Sequence, residues 1–183
     1  EKDDPRFSYN FYRVGDTYNN GNNVLTPDAV QGDSERPSWR KYTMIYKQSA
    51  ENMASGINFR VIRYADVLLM MAEVENELGN SASALSYLNS TRQRADVDMP
   101  LYPTSQYPVG SQTQMRIAIQ HERQVELPGE QIRNRDVRRW RRLGYLQNEP
   151  IPNFRANHDL LPLPFAEIDN NSALTNADQN PGY

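Results

Sequence analysis

Two glutamates in the second half of the chain have the residue type and spacing for acid–base chemistry. Glu122 and Glu126 stand four residues apart, so a helix would place them on one face. Glycoside hydrolases use two carboxylates roughly 5–10 Å apart across a sugar-binding cleft. The same helix also presents Arg123, and more arginines follow, whose planar guanidinium groups suit carboxylates in fixed geometry. A structural ion-pair network is therefore the favoured interpretation, and no catalytic residue is predicted. The predicted network consists of Glu122, Arg123, Glu126, Arg133, Asp136 and Arg139.

The stretch HERQVE, which begins at His121, partly matches the HExxH motif of zinc metalloproteases. That motif needs two histidines at i and i+4 on one helix face, with the glutamate as base. Val125 occupies the place of the second histidine, and the chain's only other histidine is His158. The chain has no cysteine, which excludes thiolate ligands. The sequence predicts neither a metal site nor a cofactor.

Residues 133–142, RNRDVRRWRR, hold six arginines in ten positions. A nucleic-acid-binding helix needs a solvent-facing basic stripe and usually more basic surface around it. The formal net charge of this chain is -3, and the preceding helical segment supplies Glu122 and Glu126 as partners. Pairing between helices, together with a solvated face, is the stronger interpretation, so nucleic acid is not an expected partner.

Helical periodicity predicts the elements that position these residues. We predict helices over residues 62–78, 82–95, 113–127 and 135–143, with one further helical turn at 165–168. Gly79 is expected to stop the first helix, and Ser81 to cap the second. The aromatic and β-branched segment 39–47 predicts a short strand.

The first two helices fit a tetratricopeptide-like hairpin of about 34 residues, with Ala72 and Ala84 at its close-packing positions. Residues 67–72 are apolar without a break, which predicts that this helix lies between two layers. About three stacked units are usually needed to bury such faces. We therefore expect further layers upstream of Glu1. The acids of this helix, Asp66 and Glu73, are expected to pair with cations such as Arg63 or Arg92.

Aromatic residues surrounded by amide side chains are the features that could bind a sugar. A sugar ring offers C–H faces to flat aromatic platforms and hydroxyls to Asn, Asp, Gln or Arg, and such platforms come from separate loops. Packing against the helices is the alternative role of any one tyrosine. The candidate ligand-binding residues are Trp39, Tyr18, Tyr9, Tyr12, Asn22, Tyr102 and Tyr107.

Six blocks occur in an order that resembles the C-terminal half of SusD/RagB-type proteins, the outer-membrane nutrient-binding lipoproteins of Bacteroidetes. They are RYADVLLMMAEVENELG, ALSYLNSTRQRA, ERQVEL, DVRRW, HDLLPLPFAEID and the terminal QNPGY. The blocks DDPR at 3–6 and RKY at 40–42 resemble the family more weakly. The resemblance implies one SusD-like domain over 1–183 with its N-terminal half missing. Its fold class would be mainly α, built of tetratricopeptide-like hairpins with long irregular loops. We expect a loop-rich segment at 1–58, a helical core at 59–143 and an extended segment at 144–183.

The resemblance also implies a function without catalysis. Such a protein would bind an oligo- or polysaccharide at the cell surface and deliver it to a SusC-type TonB-dependent transporter. A lipid anchor on the full-length protein would hold it to the extracellular face of the outer membrane. A peptide-binding member of the family and a purely protein-binding helical scaffold remain alternatives, and a hydrolase is the remotest one.

Overall fold

The computed structural model describes residues 4–30, 32–33, 35–50 and 55–183. Asp3, the first residue of the DDPR block, lies outside the described residues, as do parts of the expected loop segment 1–58. The chain forms two compact units, Glu1–Arg133 and Asn134–Tyr183.

Helices make up most of the regular structure. The helices of the described residues are α1 (Arg6–Asn10), α2 (Tyr64–Glu77), α3 (Ser81–Ser90), α4 (Gln112–Glu126), α5 (Arg133–Arg142) and α6 (Phe165–Asn170). The strands are β1 (Phe11–Tyr12), β2 (Thr17–Tyr18), β3 (Asn23–Val24) and β4 (Ser38–Trp39). Single 3-10 turns occupy Pro27–Val30, Ala156–Asp159 and Asn176–Asp178.

The predicted helical hairpin is formed by α2 and α3, which pack on each other. Gly79 ends the first helix with a φ of +83°, a left-handed conformation that glycine adopts without a steric penalty. The predicted cap is displaced by one residue, because α3 begins at Ser81 and Asn80 holds the N-cap position. The Asn80 side chain instead donates to Glu75 Oε2 at 2.8 Å, which fixes the turn to the end of α2.

The main core of the first unit lies where α2 and α3 meet α4. Ala72 and Ala84 are completely buried, as their predicted close-packing role requires. These small side chains let α2 and α3 approach each other closely. Larger side chains of α4 then fill the remaining space. The other fully or almost fully buried apolar residues here include Leu69, Leu88, Met115, Ala118 and Ile119.

The N-terminal part of the first unit is held by two short antiparallel ladders. β1 pairs with β4, with Phe11 opposite Trp39, and β2 pairs with β3. The strand predicted over 39–47 is wrong beyond Trp39, where the chain continues as turns. Tyr42 has a φ of +62°, which turns the chain out of an extended strand, and the Thr43 amide donates to the Arg40 carbonyl at 3.2 Å across this turn.

The second unit joins α5 to an irregular C-terminal segment. The Gln179 side-chain amide both donates to and accepts from the backbone of Leu163, at 2.9 and 2.7 Å. Asn180 donates to the Leu161 carbonyl, and the Tyr183 hydroxyl to the Leu160 carbonyl. Side chains of the terminal QNPGY block therefore satisfy backbone groups that an extended segment would otherwise expose to solvent.

The outer face of α2 differs from the buried environment predicted for residues 67–72. Leu69 and Ala72 are fully buried, whereas Met70 and Val74 remain 42% and 50% exposed. Val67, Met70, Val74 and Leu78 form one exposed apolar stripe along the helix. A covering layer therefore stays a prediction. Among the described residues, no helix is both long and apolar enough to span a bilayer.

We predict that a further helical layer covers this stripe in the protein that carries the chain. Val74→Glu is then expected to lower the free energy of unfolding by about 2–4 kcal/mol, because the carboxylate would be buried in an apolar contact. Urea unfolding followed by circular dichroism measures the effect. Val24→Glu is a matched control, since Val24 is 53% exposed on β3 and its change is expected to stay below about 1 kcal/mol. Equal effects of the two substitutions would contradict a covering layer.

Candidate functional site

Glu122, the first of the two candidate acid–base glutamates of α4, is completely buried. Glu122 is 0% exposed, and its Oε1 accepts from Arg6 Nη1 at 2.5 Å and from the Thr91 hydroxyl at 2.8 Å. Its Oε2 accepts from Arg92 Nη1 at 3.2 Å and from the Tyr102 hydroxyl at 3.1 Å. Both oxygens are thus used by the chain itself, as a buried carboxylate requires.

Glu126, one turn further along α4, gathers three arginines. Its carboxylate lies 2.8 Å from Arg94 Nη1, 3.2 Å from Arg63 Nη1 and 3.1 Å from Arg6 Nη1. Arg6 therefore bridges both carboxylates of α4 through a single nitrogen. The other edge of its guanidinium contacts Asp4, with an Nη2 to Oδ2 distance of 2.6 Å.

The surroundings of Arg6 keep it charged. Burial by itself would lower the pKa of its guanidinium, but hydrogen bonds and Coulomb attraction from Asp4 and Glu122 outweigh that effect and raise the pKa. The same contacts hold the pKa of the Asp4 carboxyl below its ordinary value, although its burial acts in the opposite direction. The pair is therefore ionised across the physiological range.

A further carboxylate, that of Glu130 beyond the end of α4, connects the loops to the helices. Glu130 is 4% exposed and lies 2.6 Å from both Lys41 Nζ and Arg63 Nη2. Burial would raise the pKa of Glu130, but the hydrogen bonds from Arg63 and Lys41 prevail and lower it. The pKa of Lys41 is lowered, because the effect of its burial exceeds the attraction of Glu130.

The remaining members of the predicted network lie in different places. Arg123 Nη1 is 2.9 Å from Asp66 Oδ1, so α4 is paired with α2. In the second unit, Arg139 Nη2 lies 3.2 Å from Asp136 Oδ1 within α5. Arg133 is half-buried at the start of α5. Pairing of Arg133 and Arg139 with the α4 carboxylates, and of Asp136 with Arg123, stays a prediction.

Sequence reasoning did not assign Asp4, Arg6, Lys41, Arg94 and Glu130 to this network. Arg6 and Glu122 are 116 positions apart, so no local spacing connects them. The signals that existed were the short blocks DDPR and RKY, which contain Asp4, Arg6 and Lys41.

The aromatic ligand-binding candidates separate into buried and exposed groups. Tyr12 and Tyr102 are each 2% exposed and belong to the two cores of the first unit. Tyr18 and Tyr107 are half-buried. The exposed candidates are Tyr9, Asn22 and Trp39.

Tyr102 anchors the proline-rich loop instead of facing solvent. Its hydroxyl lies 2.8 Å from His121 Nδ1, and its backbone amide and carbonyl bond to the Asn89 side chain. The Tyr107 ring stacks on the His121 ring with centroids 4.0 Å apart. His121, the residue that suggested a metalloprotease motif, is thus part of an aromatic packing cluster. No group of three or more potential metal ligands occurs among the described residues.

Trp39 belongs to a row of aromatic rings at the surface of the first unit. Its ring centroid lies 4.8 Å from that of Phe11, which in turn lies 5.2 Å from Phe7. The Arg13 guanidinium stands 4.0 Å over the Phe7 ring. We call these three residues the aromatic row Phe7–Phe11–Trp39. Within it, Trp39 is 50% exposed.

Gly129 supports one part of the Trp39 ring. A Cβ on this glycine would lie 2.9 Å from a ring carbon, closer than such contacts allow. Its φ of +72° is also a conformation that other residues adopt only with strain. Only glycine therefore permits this close approach, which holds the indole against the loop after α4.

We predict that acid weakens the fold through Glu130. Its pKa is lowered on folding, so its stabilising effect is complete above its ordinary value of 4.5 and is lost as the pH falls through the folded value. Glutamine cannot ionise, so the free energy of unfolding of Glu130→Gln should lack this contribution to its pH dependence. Urea unfolding between about pH 3 and pH 7 is expected to show a smaller loss of stability for the variant than for the parent.

Glu35→Gln is the control for this prediction, because Glu35 is an exposed glutamate. Its pH profile is expected to follow the parent. An equal loss of stability between pH 7 and pH 3 in Glu130→Gln and in the parent would show that the ionised form of Glu130 does not stabilise the fold through Lys41 and Arg63.

Comparison with known proteins assigns the family. The sequence model of the SusD family matches residues 1–183, the whole chain. SusD-like protein P2 of Formosa agariphila is 38% identical over 156 residues, which cover 81% of this chain and 30% of that protein. SusD-like protein P25 of the same species is 38% identical over 131 residues, 67% of this chain and 24% of that protein. The chain spans less than a third of the length of these relatives.

Solved structures agree with this assignment. A SusD superfamily protein from Bacteroides vulgatus ATCC 8482 superposes with a TM-score of 0.69 at 26% identity, covering 98% of this chain and 40% of that one. A SusD-like protein from Bacteroides fragilis NCTC 9343 gives a TM-score of 0.68 at 24% identity, with coverages of 98% and 39%, and supports the fold alone. The predicted mainly α fold with tetratricopeptide-like hairpins is confirmed. With its full length matched by the family model, the chain belongs to the SusD family.

Proposed function

We propose that this chain is part of a non-catalytic receptor that binds a glycan at the bacterial cell surface. The receptor delivers the glycan to a SusC-type TonB-dependent transporter of the outer membrane. In the complete protein, a lipid anchor holds it on the extracellular face. Membership of the SusD family is the basis of this proposal, and the exposed ring of Trp39 is the observation in this chain that carries it.

The aromatic row Phe7–Phe11–Trp39 has the properties that a sugar-binding surface requires. An indole that is half exposed offers a flat apolar face to the C–H groups of a sugar ring. The neighbouring Phe11 ring and Gly129 restrict its orientation, so little side-chain freedom is lost on binding. Tyr9 is also 53% exposed, but it stands two residues from Phe7 on α1 and therefore projects from another face of the helix.

Burial of the α4 glutamate supports binding over hydrolysis. A glycosidase needs both carboxylates beside the scissile bond. Glu122 is completely buried and its two oxygens accept from four side chains of the protein. A sugar could reach this carboxylate only if the α2–α3–α4 core opened.

We predict that Trp39→Ala weakens glycan binding about tenfold, which corresponds to the loss of roughly 1.4 kcal/mol of stacking and burial. Retardation of the complete protein in native gels containing a panel of polysaccharides identifies the ligand and measures the change. Phe165→Ala is the matched control, because Phe165 is 74% exposed on α6 and its loss should leave retardation unchanged.

A second pair of variants tests the contact between Gly129 and the Trp39 ring while the ring itself is kept. Gly129→Ala forces a Cβ against Trp39, whereas Gly144→Ala has a similar φ of +70° and open space around it. Both carry the same backbone strain, about 1–2 kcal/mol, but only Gly129→Ala should weaken binding. Unchanged retardation in both Trp39→Ala and Gly129→Ala would contradict this binding surface.

The same experiments separate the alternatives. Peptides that co-purify with the receptor–transporter complex, in the absence of gel retardation, would indicate a peptide-binding member of the family. Failure to co-purify with a large outer-membrane barrel, with no small ligand bound, would indicate a protein-binding scaffold and contradict the proposal.

A further inference from the structure

The second unit contains a surface cavity whose walls are dominated by positive charge. The cavity measures about 460 Å³, within the range of roughly 300–1,000 Å³ that small-molecule sites occupy. Its lining consists of Arg135, Arg138, Arg139, Arg142, Leu143 and Asp159. The four arginines of α5 follow the spacing i, i+3, i+4 and i+7, so they form a single helix face. We call this set the α5 arginine face.

The opposite face of α5 fixes the direction of these arginines. Val137 and Trp140 are 0% and 1% exposed, and Asp136 is also buried. A helix anchored by these three side chains must present Arg135, Arg138, Arg139 and Arg142 on its other side. Arg135 and Arg142 are accordingly exposed.

Most of the charge in the cavity is not neutralised by carboxylates. Arg138 Nη2 donates to the backbone carbonyl of Asp159, a neutral acceptor. The Asp159 carboxylate lies 3.1 Å from Arg141 Nη1, and Arg141 is outside the cavity lining. Among the described residues, no carboxylate is within ion-pair distance of Arg135 or Arg142.

The wall opposite α5 is positioned by Arg141. This residue also pairs with Glu149 at 2.7 Å, and its guanidinium stands 3.1 Å over the Phe154 ring. These contacts fix the segment that carries Asp159, whose carbonyl in turn orients Arg138. The cavity is therefore partly preorganised before any ligand enters.

Structural roles account for only part of the α5 arginine face. Arg139 and Arg142 lie in the last turn, where cations interact favourably with the helix dipole. Arg135 lies in the first turn, where a cation is unfavourable. Like charges at i, i+3 and i+4 also repel each other by a few tenths of a kcal/mol per pair. An anion in the cavity would remove both penalties.

We infer that the α5 arginine face binds the carboxylate or sulfate groups of an acidic glycan. The inference rests on the proposed glycan-binding function and narrows its substrate class to anionic polysaccharides. Guanidinium groups bind planar or tetrahedral oxyanions through two parallel hydrogen bonds, which suits uronate and sulfate substituents alike. Leu143 adds an apolar contact for the C–H face of a sugar ring.

The test compares acidic and neutral polysaccharides on the complete protein. Affinity gels would contain polygalacturonate or alginate for carboxylate, dextran sulfate or carrageenan for sulfate, and dextran or xylan as neutral counterparts. We expect retardation by at least one acidic polymer, weakened by added salt, and about tenfold weaker binding in Arg135→Gln/Arg142→Gln. The control Lys47→Gln/Arg155→Gln removes two positive charges from exposed side chains outside the cavity and should bind like the parent.

Each other outcome contradicts the inference in a different way. Retardation only by neutral polymers would overturn the acidic specificity and leave the proposed glycan function in place. An equal loss of affinity for acidic polymers in the two double variants would show that net charge, and not the α5 arginine face, determines binding. Binding by the parent to vesicles with anionic lipid, and to no acidic polysaccharide, would assign the arginines to a membrane surface. No binding to any polysaccharide would contradict the proposed function as well.

Discussion

One buried cation organises the first unit. The Arg6 guanidinium contacts Asp4, Glu122 and Glu126, so a residue near the N-terminus is joined to two successive turns of α4. All four side chains are at most 7% exposed, and burial of this kind is tolerated only when each charge has partners. Removal of Arg6 would leave Glu122 and Glu126 buried with one cation fewer and Asp4 without this contact, which is costly in a buried site. The network therefore specifies where the N-terminal segment lies, even if an apolar core of the same volume could be equally stable.

The same constraint determines what the surface can present. α1 leads directly into β1, and β1 pairs with β4, so Arg6 indirectly positions Phe11 and Trp39. Glu130 fixes Lys41 just after β4, and Gly129 beside it receives the Trp39 ring. The loop after α4 thus joins the charged interior to the aromatic row. This explains how a chain with short strands and long loops can hold an exposed ring in a defined orientation, as the proposed binding surface requires.

Local patterns predicted the helices because apolar periodicity and turn glycines act within a few residues. α2, α4 and α5 begin and end within two residues of their predicted limits, and Gly79 ends α2 as expected. The strand beyond Trp39 was wrong because the chain turns at Tyr42, whose φ of +62° is incompatible with an extended strand. Spacing predicted that Glu122 and Glu126 would be paired, yet it could not identify Arg6, because that contact depends on how the whole unit folds. Nor could composition distinguish Tyr102, enclosed by Asn89 and His121, from the exposed Trp39, since both are aromatic residues in loop-rich sequence.

A double-mutant cycle on Arg6 and Glu122 tests this account most directly. The free energy of unfolding would be measured for the complete protein, Arg6→Met, Glu122→Gln and the double variant, where two-state unfolding is first verified. If the buried charges hold the N-terminal segment to α4, the coupling energy should be about 2 kcal/mol or more, and each single substitution should lower stability by roughly 3–5 kcal/mol. A coupling energy below about 0.5 kcal/mol would mean that the two residues act independently, and would contradict the account.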